Sequence, residues 1–197
     1  AWAKGPAQHG EVGGMSGGGY TTSYRWAGVT RSKVAGLIRH DARDVDRQNG
    51  VEVSHSNAAI DPAMTARNET FVNDGAGRFA ASTSSQQWLD FIDKRVGEAR
   101  NFRTNKDGTQ TPVAVRADAN VVVEVILQLD PEFTGKCADM DDAKREEVRE
   151  LLQVMIDTEI EHIGAGNVVG WAVHWDETHP HVQMMTIPMM KGIVLPI

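Results

Sequence analysis

Apolar and polar positions alternate most regularly between Asn120 and Leu129. Val121, Val123, Val125, Leu127 and Leu129 face one way, with Glu124 and Gln128 among the others, and a period of two predicts a strand. From Asp139 to His162 the period changes. Val148, Leu151, Leu152, Met155, Ile156, Ile160 and Ile163 recur at three and four, which predicts an amphipathic helix ended by Gly164 and Gly166. A second helix is predicted from Ser84 to Arg100, with Trp88, Phe91, Ile92 and Val96 on one side, and a third from Lys33 to Arg47, capped by Ser32 and closed before Asn49-Gly50. A short strand, Tyr24 to Val29, precedes it. Residues 48–70 read as a long polar loop, and Asn105 to Gly108 as a turn. Two strand-like runs, Val168 to Trp175 and His181 to Ile187, are joined by Asp176-Glu177-Thr178-His179-Pro180 and predict a hairpin. Helices and strands mixed in this way, without repeats, imply an α+β fold: an antiparallel or mixed sheet packed against α-helices, with the helices on one face.

Composition narrows this to an ordinary globular domain. The chain has 197 residues, 41% hydrophobic and 24% charged. Its first 22 residues are glycine-rich without an apolar period and read as a flexible tail, residues 23–190 as the domain, and 191–197 as a short end. No run of about 18 apolar residues predicts a membrane span. The single Cys137 excludes a disulfide framework and fits a reducing compartment, and with no secretory signal in view the expected location is cytoplasmic. The net charge of −7 argues against a non-specific basic nucleic-acid binder, but the charge is segregated. Residues 1–50 carry seven Lys/Arg against four acids, whereas residues 139–161 carry nine acids against three bases.

The chemistry concentrates in the hairpin. Strand side chains alternate faces, so His174 shares one with Ala172 and Gly170, and His181 shares one with Gln183 and Met185. If the two runs pair, His174, His181 and Gln183 can converge on one ion, with Gly170 and Ala172 leaving room above that face. Glu177, in the turn, can bind, orient a ligand or take a proton. His179 falls outside the face pattern and reads as a turn residue. Two imidazoles and an amide oxygen leave coordination positions open for substrate and suit Mn²⁺, Mg²⁺ or an adventitious Zn²⁺ or Ni²⁺. On the first helix, Arg43 follows His40 by three residues and Arg47 lies four further on. Flanking guanidinium groups keep an imidazole neutral and nucleophilic and can hold a phosphate bidentately. A solvated helix of mixed charge is the plainer alternative. Tyr20 and Tyr24, the only tyrosines, stay open as nucleophiles.

In this order the motifs resemble the MobV-type (Mob/Pre) plasmid mobilisation relaxases of the HUH endonuclease group. Ser23-Tyr24 followed by Arg39-His40-Asp41-Ala42-Arg43 is similar to that family's H-x-x-R block. His55-Ser56-Asn57 with Ile60, Pro62 and Asn68 is similar to its H-S-N…N-Y-E-L stretch, although Glu69-Thr70 follows Asn68. His174-x-Asp176-Glu177-x-x-Pro180-His181-Val182-Gln183-Met184 is similar to H-x-D-E-x-x-P-H-x-H-M, with Gln183 where the family has its last histidine.

The resemblance implies an antiparallel palm bearing the metal histidines, and site- and strand-specific nicking and strand transfer at a plasmid origin of transfer. A divalent ion, Mn²⁺ or Mg²⁺, is implied at His174, His181 and Gln183, and His40 as the nucleophile. Glu177 would orient or deprotonate His40, and Arg39, Arg43, Arg47 and Asn68 would contact DNA. The attacking imidazole must be neutral, so activity is expected to fall in acid. The partner is origin DNA, single-stranded or hairpin, with self-association left open. The long C-terminal region of the family is not matched. Two other readings stand beside this one: a degenerate or truncated relaxase that binds without cleaving, and an unrelated metallohydrolase.

Overall fold

The computed structural model describes residues 22–51, 57–190 and 193–194. Most of the predicted tail, including Tyr20, and His55 and Ser56 of the second motif lie outside the described residues. In chain order the elements are β1 (Thr22–Thr30), α1 (Arg31–Asp41), α2 (Arg43–Gln48), β2 (Glu69–Asn73), β3 (Phe79–Ala81), α3 (Ser85–Gly97), β4 (Asn101–Thr104), β5 (Gln110–Val113), β6 (Asn120–Leu129), α4 (Pro131–Thr134), α5 (Asp142–Ile163), β7 (Val168–His174), β8 (His181–Thr186), β9 (Met189–Met190) and β10 (Ile193–Val194). A single helical turn, Thr65–Arg67, precedes β2.

Six strands form one sheet in the order β1-β6-β8-β7-β2-β3, antiparallel at every pairing. β4 and β5 form a separate hairpin around the predicted Asn105–Gly108 turn. The central strand β8 lies between β6 and β7 and is mostly buried, which explains its apolar run His181-Val182-Gln183-Met184-Met185.

Helices cover both faces of the sheet and not one, a correction to the expected single layer. On one side Val34 and Ile38 of α1, Val45 of α2, and Trp88, Phe91, Ile92 and Val96 of α3 pack on Val122, Val169 and Met185. On the other, Val148, Leu152 and Ile156 of α5 pack on Val125, Leu127, Trp171, Val173, Val182 and Met184. α5 uses a narrower stripe than its sequence suggested, because Leu151 is 40% exposed. Both strand faces are apolar enough to bury, so alternation alone does not show how many helical layers cover them. Among the described residues no helix is long and apolar enough to cross a membrane.

Two local features set the site. The predicted helix over residues 33–47 breaks at Ala42, which has φ −97° and ψ 26°. α1 therefore ends on His40 and Asp41, and α2 starts with Arg43 turned inward. The His40 carbonyl, in the last turn of α1, accepts Arg43 Nη1 at 2.8 Å. Thr70 Oγ1 on β2 donates to Asp44 Oδ1 at 2.6 Å and pins α2 to the sheet. The second feature is an irregularity in β7 between Val168 and Gly170. A Cβ at Gly170 would run into the Phe71 carbonyl oxygen, so this glycine admits the backbone of β2 and does not open room above His174, as the sequence had suggested.

Candidate active site

The β7–β8 pairing sets His174 directly opposite His181, and Ala172 opposite Gln183. Directly paired residues point to one side, so the three predicted ligands share the face covered by α1. The His174 and His181 ring centroids are 5.2 Å apart. His181 Nδ1 donates to the His179 carbonyl at 3.1 Å, which leaves Nε2 with its lone pair outward. Gln183 Nε2 donates to Glu124 Oε1 at 2.8 Å, and this fixes Gln183 Oε1 as the end of the amide turned away from Glu124.

α1 delivers the next group. The His40 ring lies 5.6 Å from that of His174. Its Nε2 stands 3.6 Å from Glu177 Oε1 and 3.5 Å from Arg43 Nη1. Arg43 is fully buried, with Nε donating to Asp176 Oδ2 at 2.9 Å and Nη2 donating both to Asp176 Oδ1 and, at 2.9 Å, to Glu177 Oε1. Thr65 Oγ1 donates to Asp176 Oδ2 at 2.8 Å, and Asn57 Nδ2 to Glu177 Oε2 at 3.2 Å. The turn carboxylates are thus held by α2, by the Thr65 turn and by the loop before it. Sequence reading did not single out Glu124 or Thr65, and Asp41, Asn57 and Asp176 appeared there only as motif positions.

Two predicted DNA contacts take other places. Arg43 is wholly inside, and Asn68, 7% exposed, accepts the Trp175 N–H at 2.8 Å while its amide nitrogen stands 3.4 Å from His174 Nδ1. Arg39 and Arg47 are exposed, and Arg47 donates to the Pro62 carbonyl. Arg25, not singled out by sequence, also belongs to this side: it pairs with Ile126, which pairs with Gln183. All the acids between residues 22 and 50 (Asp41, Asp44 and Asp46) are buried, whereas Arg25, Arg31, Lys33, Arg39 and Arg47 are exposed. The surface near His40 is therefore more cationic than residue counts suggest. Tyr24 faces the opposite layer, with Oη donating to Glu159 Oε1 at 2.8 Å, and burial pushes its phenol far up. His179 stands 2.9 Å through Nδ1 from the Gly135 carbonyl, away from the cluster.

Several buried atoms at the centre have no hydrogen-bond partner among the described residues: His174 Nε2, Gln183 Oε1 and both carboxyl oxygens of Asp41. Each such group costs about 1–3 kcal/mol unless something binds it. Imidazole nitrogen, amide oxygen and carboxylate oxygen are all metal-ligating atoms, and one each from His174 and Asp41 lie within 4.8 Å of each other, so the donor set fits a metal ion. Burial, then the charge of Glu124, pushes the Asp41 carboxyl well above its ordinary range, with Arg43 pulling the other way. Burial, then the positive charge of Arg43 and the neighbouring histidines, pushes His174 well below the ordinary 6.5, and burial lowers His181 also. Above about pH 6.5 both rings are neutral folded or unfolded, and they contribute no pH dependence. As pH falls through that range the unfolded chain takes up protons that the folded rings refuse, and these two histidines then cost stability. In metal-free protein the His174 ring is expected to be predominantly neutral at pH 6.5, read from imidazole nitrogen shifts. Half-protonation at that pH would contradict its burial.

Residues 22–195 match the family model Mob_Pre, plasmid recombination enzyme. No curated protein matches the chain. Among solved structures the chain is similar to the MobM relaxase domain (MOBV; Mob_Pre) bound to plasmid pMV158 oriT DNA. To a Mn-bound crystal form at pH 6.8 it has 22% identity and a TM-score of 0.60, covering 88% of this chain and 74% of that one. To a Mn-bound form at pH 5.5 it has 21% identity and a TM-score of 0.58, covering 88% and 73%. At this identity the likeness establishes the fold: the sheet and its helices are those of that relaxase domain.

Proposed function

The chain belongs to the Mob_Pre family of plasmid recombination enzymes, and from that premise we propose that it is a metal-dependent relaxase, which nicks one strand at a plasmid origin of transfer with His40 as nucleophile and can reseal it. The observation that carries the reading is the meeting of His40 with Glu177 at 3.6 Å and with the His174 ring at 5.6 Å, at the border of a cationic surface. The MobM relaxase domain, of the same fold, is seen Mn-bound on origin DNA.

His174, His181 and Gln183 would hold the ion, Mn²⁺ or Mg²⁺, which when bound supplies Lewis-acid polarisation of the scissile phosphate. The rest is done by side chains. The neutral His40 imidazole attacks phosphorus, an N–P bond forms, and the P–O3′ bond breaks. The electron pair leaves with the 3′ oxygen, which takes a proton from solvent water and becomes a free 3′-hydroxyl. The proton of the imidazole ring passes to Glu177, whose carboxylate also offsets the positive charge that develops on the ring. Arg43 holds Glu177 in place from inside, and Asn57 holds its other oxygen. Because the phosphoramidate conserves the energy of the broken bond, the 3′-hydroxyl can reverse the step.

Residues 23–190 would make up the relaxase domain, with Arg39 and Arg47 contacting DNA at its surface. Arg43 and Asn68 act from beneath, as positioning residues. The double substitution Arg39→Gln/Arg47→Gln is expected to weaken binding evenly across sequences and to lower the slope of log K against log salt by about 0.7–0.9 for each phosphate no longer neutralised. Fluorescence anisotropy across a salt series checks this, and an unchanged slope would remove both residues from the interface.

The reading as a whole is tested with a supercoiled plasmid carrying the cognate origin, incubated with the chain and Mn²⁺. Nicked circles with protein bound through an acid-labile, base-stable link are expected, as a phosphoramidate requires. Origin binding without nicking at any divalent ion would leave a binding protein and remove the enzyme.

A further inference from the structure

We infer that Asp41 is a ligand of the catalytic ion, so that this chain holds it through a carboxylate from α1 in addition to His174, His181 and Gln183. The inference rests on the reading of those three as ligands. It starts from charge. Two imidazoles and a carboxamide are neutral, and a divalent cation in a dry site needs an anion close by. Three acids stand near His174, and they are not equivalent. Asp176 is engaged on both oxygens, by Arg43 and by Thr65. Glu177 is engaged on both, by Arg43 and by Asn57. Asp41 is fully buried, and neither of its oxygens has a partner among the described residues.

Geometry agrees. One ligand atom each from His40, Asp41 and His174 lie within 4.8 Å of one another, close to the roughly 4.4 Å that two atoms on one ion can span at bond lengths of about 2.0–2.2 Å, so a small inward shift of the side chains brings Asp41 and His174 onto one ion. His174, Asp176 and Glu177 meet the same distance limit, but both of those carboxylates are already bonded to Arg43, which cancels one of their two charges. The α1–α2 break at Ala42 brings Asp41 here, because it ends α1 over the histidine hairpin. The resulting set, two nitrogens and two oxygens with one negative charge, favours hard ions such as Mn²⁺ over ions that prefer an all-nitrogen set.

The test is calorimetric titration of Mn²⁺ into the metal-free full chain, comparing wild type, Asp41→Asn and His174→Ala, with thermal melts beside it. Asparagine keeps the shape and removes the charge. Asp41→Asn is expected to weaken Mn²⁺ binding by about ten- to a hundredfold, a loss no smaller than that typical of altering a residue behind the ligands. Without metal it should melt no lower than wild type, since an unpartnered buried carboxyl is removed, and its gain in melting temperature with Mn²⁺ should be smaller. A merely structural role would lower the metal-free melt instead. Wild-type affinity in Asp41→Asn, with binding abolished in His174→Ala, would overturn this inference alone. A wild-type chain that binds no Mn²⁺ would overturn it together with the metal reading of the site.

Discussion

Replacing Arg43 by alanine is expected to remove about 3–5 kcal/mol of folding stability, the usual cost of stripping one partner from a buried ion pair. That is a large fraction of the ~5–15 kcal/mol that holds an ordinary domain together. The guanidinium has no exposed surface, and neither has the side chain of Asp176. Once the arginine is gone, Asp176 keeps only Thr65 Oγ1 and the amide neighbourhood of Asn68 to compensate a charge that water cannot reach. Burial pushes the Asp176 carboxyl up, but Arg43, with help from Thr65 and Asn68, holds it below the ordinary carboxylate range. Urea denaturation checks the size of the loss. A double substitution, Arg43→Met with Asp176→Asn, separates charge from packing: it removes both charges and keeps most of the volume, so it should cost much less than Arg43→Ala. If the double variant falls as far as the single one, the arginine matters as filler and the electrostatic account is wrong. Either way the consequence reaches His40, because Arg43 Nη2 and Nη1 hold the Glu177 carboxylate and the His40 carbonyl in one grip.

The same arginine shows where sequence reading stopped. Its spacing from His40 was visible, and a guanidinium beside a histidine suggested a phosphate clamp. Nothing in the spacing shows that the side chain turns inward at a helix break, to meet a carboxylate 133 residues later. Buried polar pairs of this range leave no period in the chain. The roles of Asp41, Glu124 and Thr65 escaped notice for that reason: each residue is an ordinary polar one until the fold places it beside His174 or Asp176. The hairpin, in contrast, was legible down to which side chains share a face, because alternation is fixed by strand geometry and the turn is short. His174 does stand opposite His181.

Strand β6 was legible with its ends, and so was the apolar side of α3. Ser84, read from sequence as the first residue of that helix, is its cap, its Oγ accepting the Gln86 N–H while Gln87 reaches back to the Ser84 N–H. Strand β2 was not legible: it begins in the last two residues of the polar stretch and runs on to Asn73. Its five residues are too few to display a period, and its place in the sheet is set by partners that sequence does not name: Phe71 stacked on Trp171 at 5.4 Å, and Thr70 bonded to Asp44. The second helical layer was missed on similar grounds, since α5 shows an apolar stripe but not the face of the sheet that receives it.

The largest effect belongs to His40→Ala, expected to abolish the covalent protein–DNA adduct and to slow nicking by about four to six orders of magnitude. The magnitude follows from the role. Alanine leaves no lone pair to form the N–P bond, and the carboxylate at 3.6 Å then has no ring whose developing charge it can offset. Binding should survive, because the cationic surface of Arg25, Arg39 and Arg47 does not pass through the imidazole and His40 is only part-buried. Folding should survive too, since the core of α1 is carried by Val34 and Ile38. Denaturing gels of a labelled origin oligonucleotide with Mn²⁺ read the adduct, and anisotropy reads binding on the same samples. An adduct that persists in His40→Ala would move the nucleophile elsewhere. Tyr24 would be a poor replacement, since it sits on the α5 side of the sheet with its hydroxyl bonded to Glu159. Loss of binding together with the adduct would make His40 a DNA contact and leave the chemistry to another group on the same face.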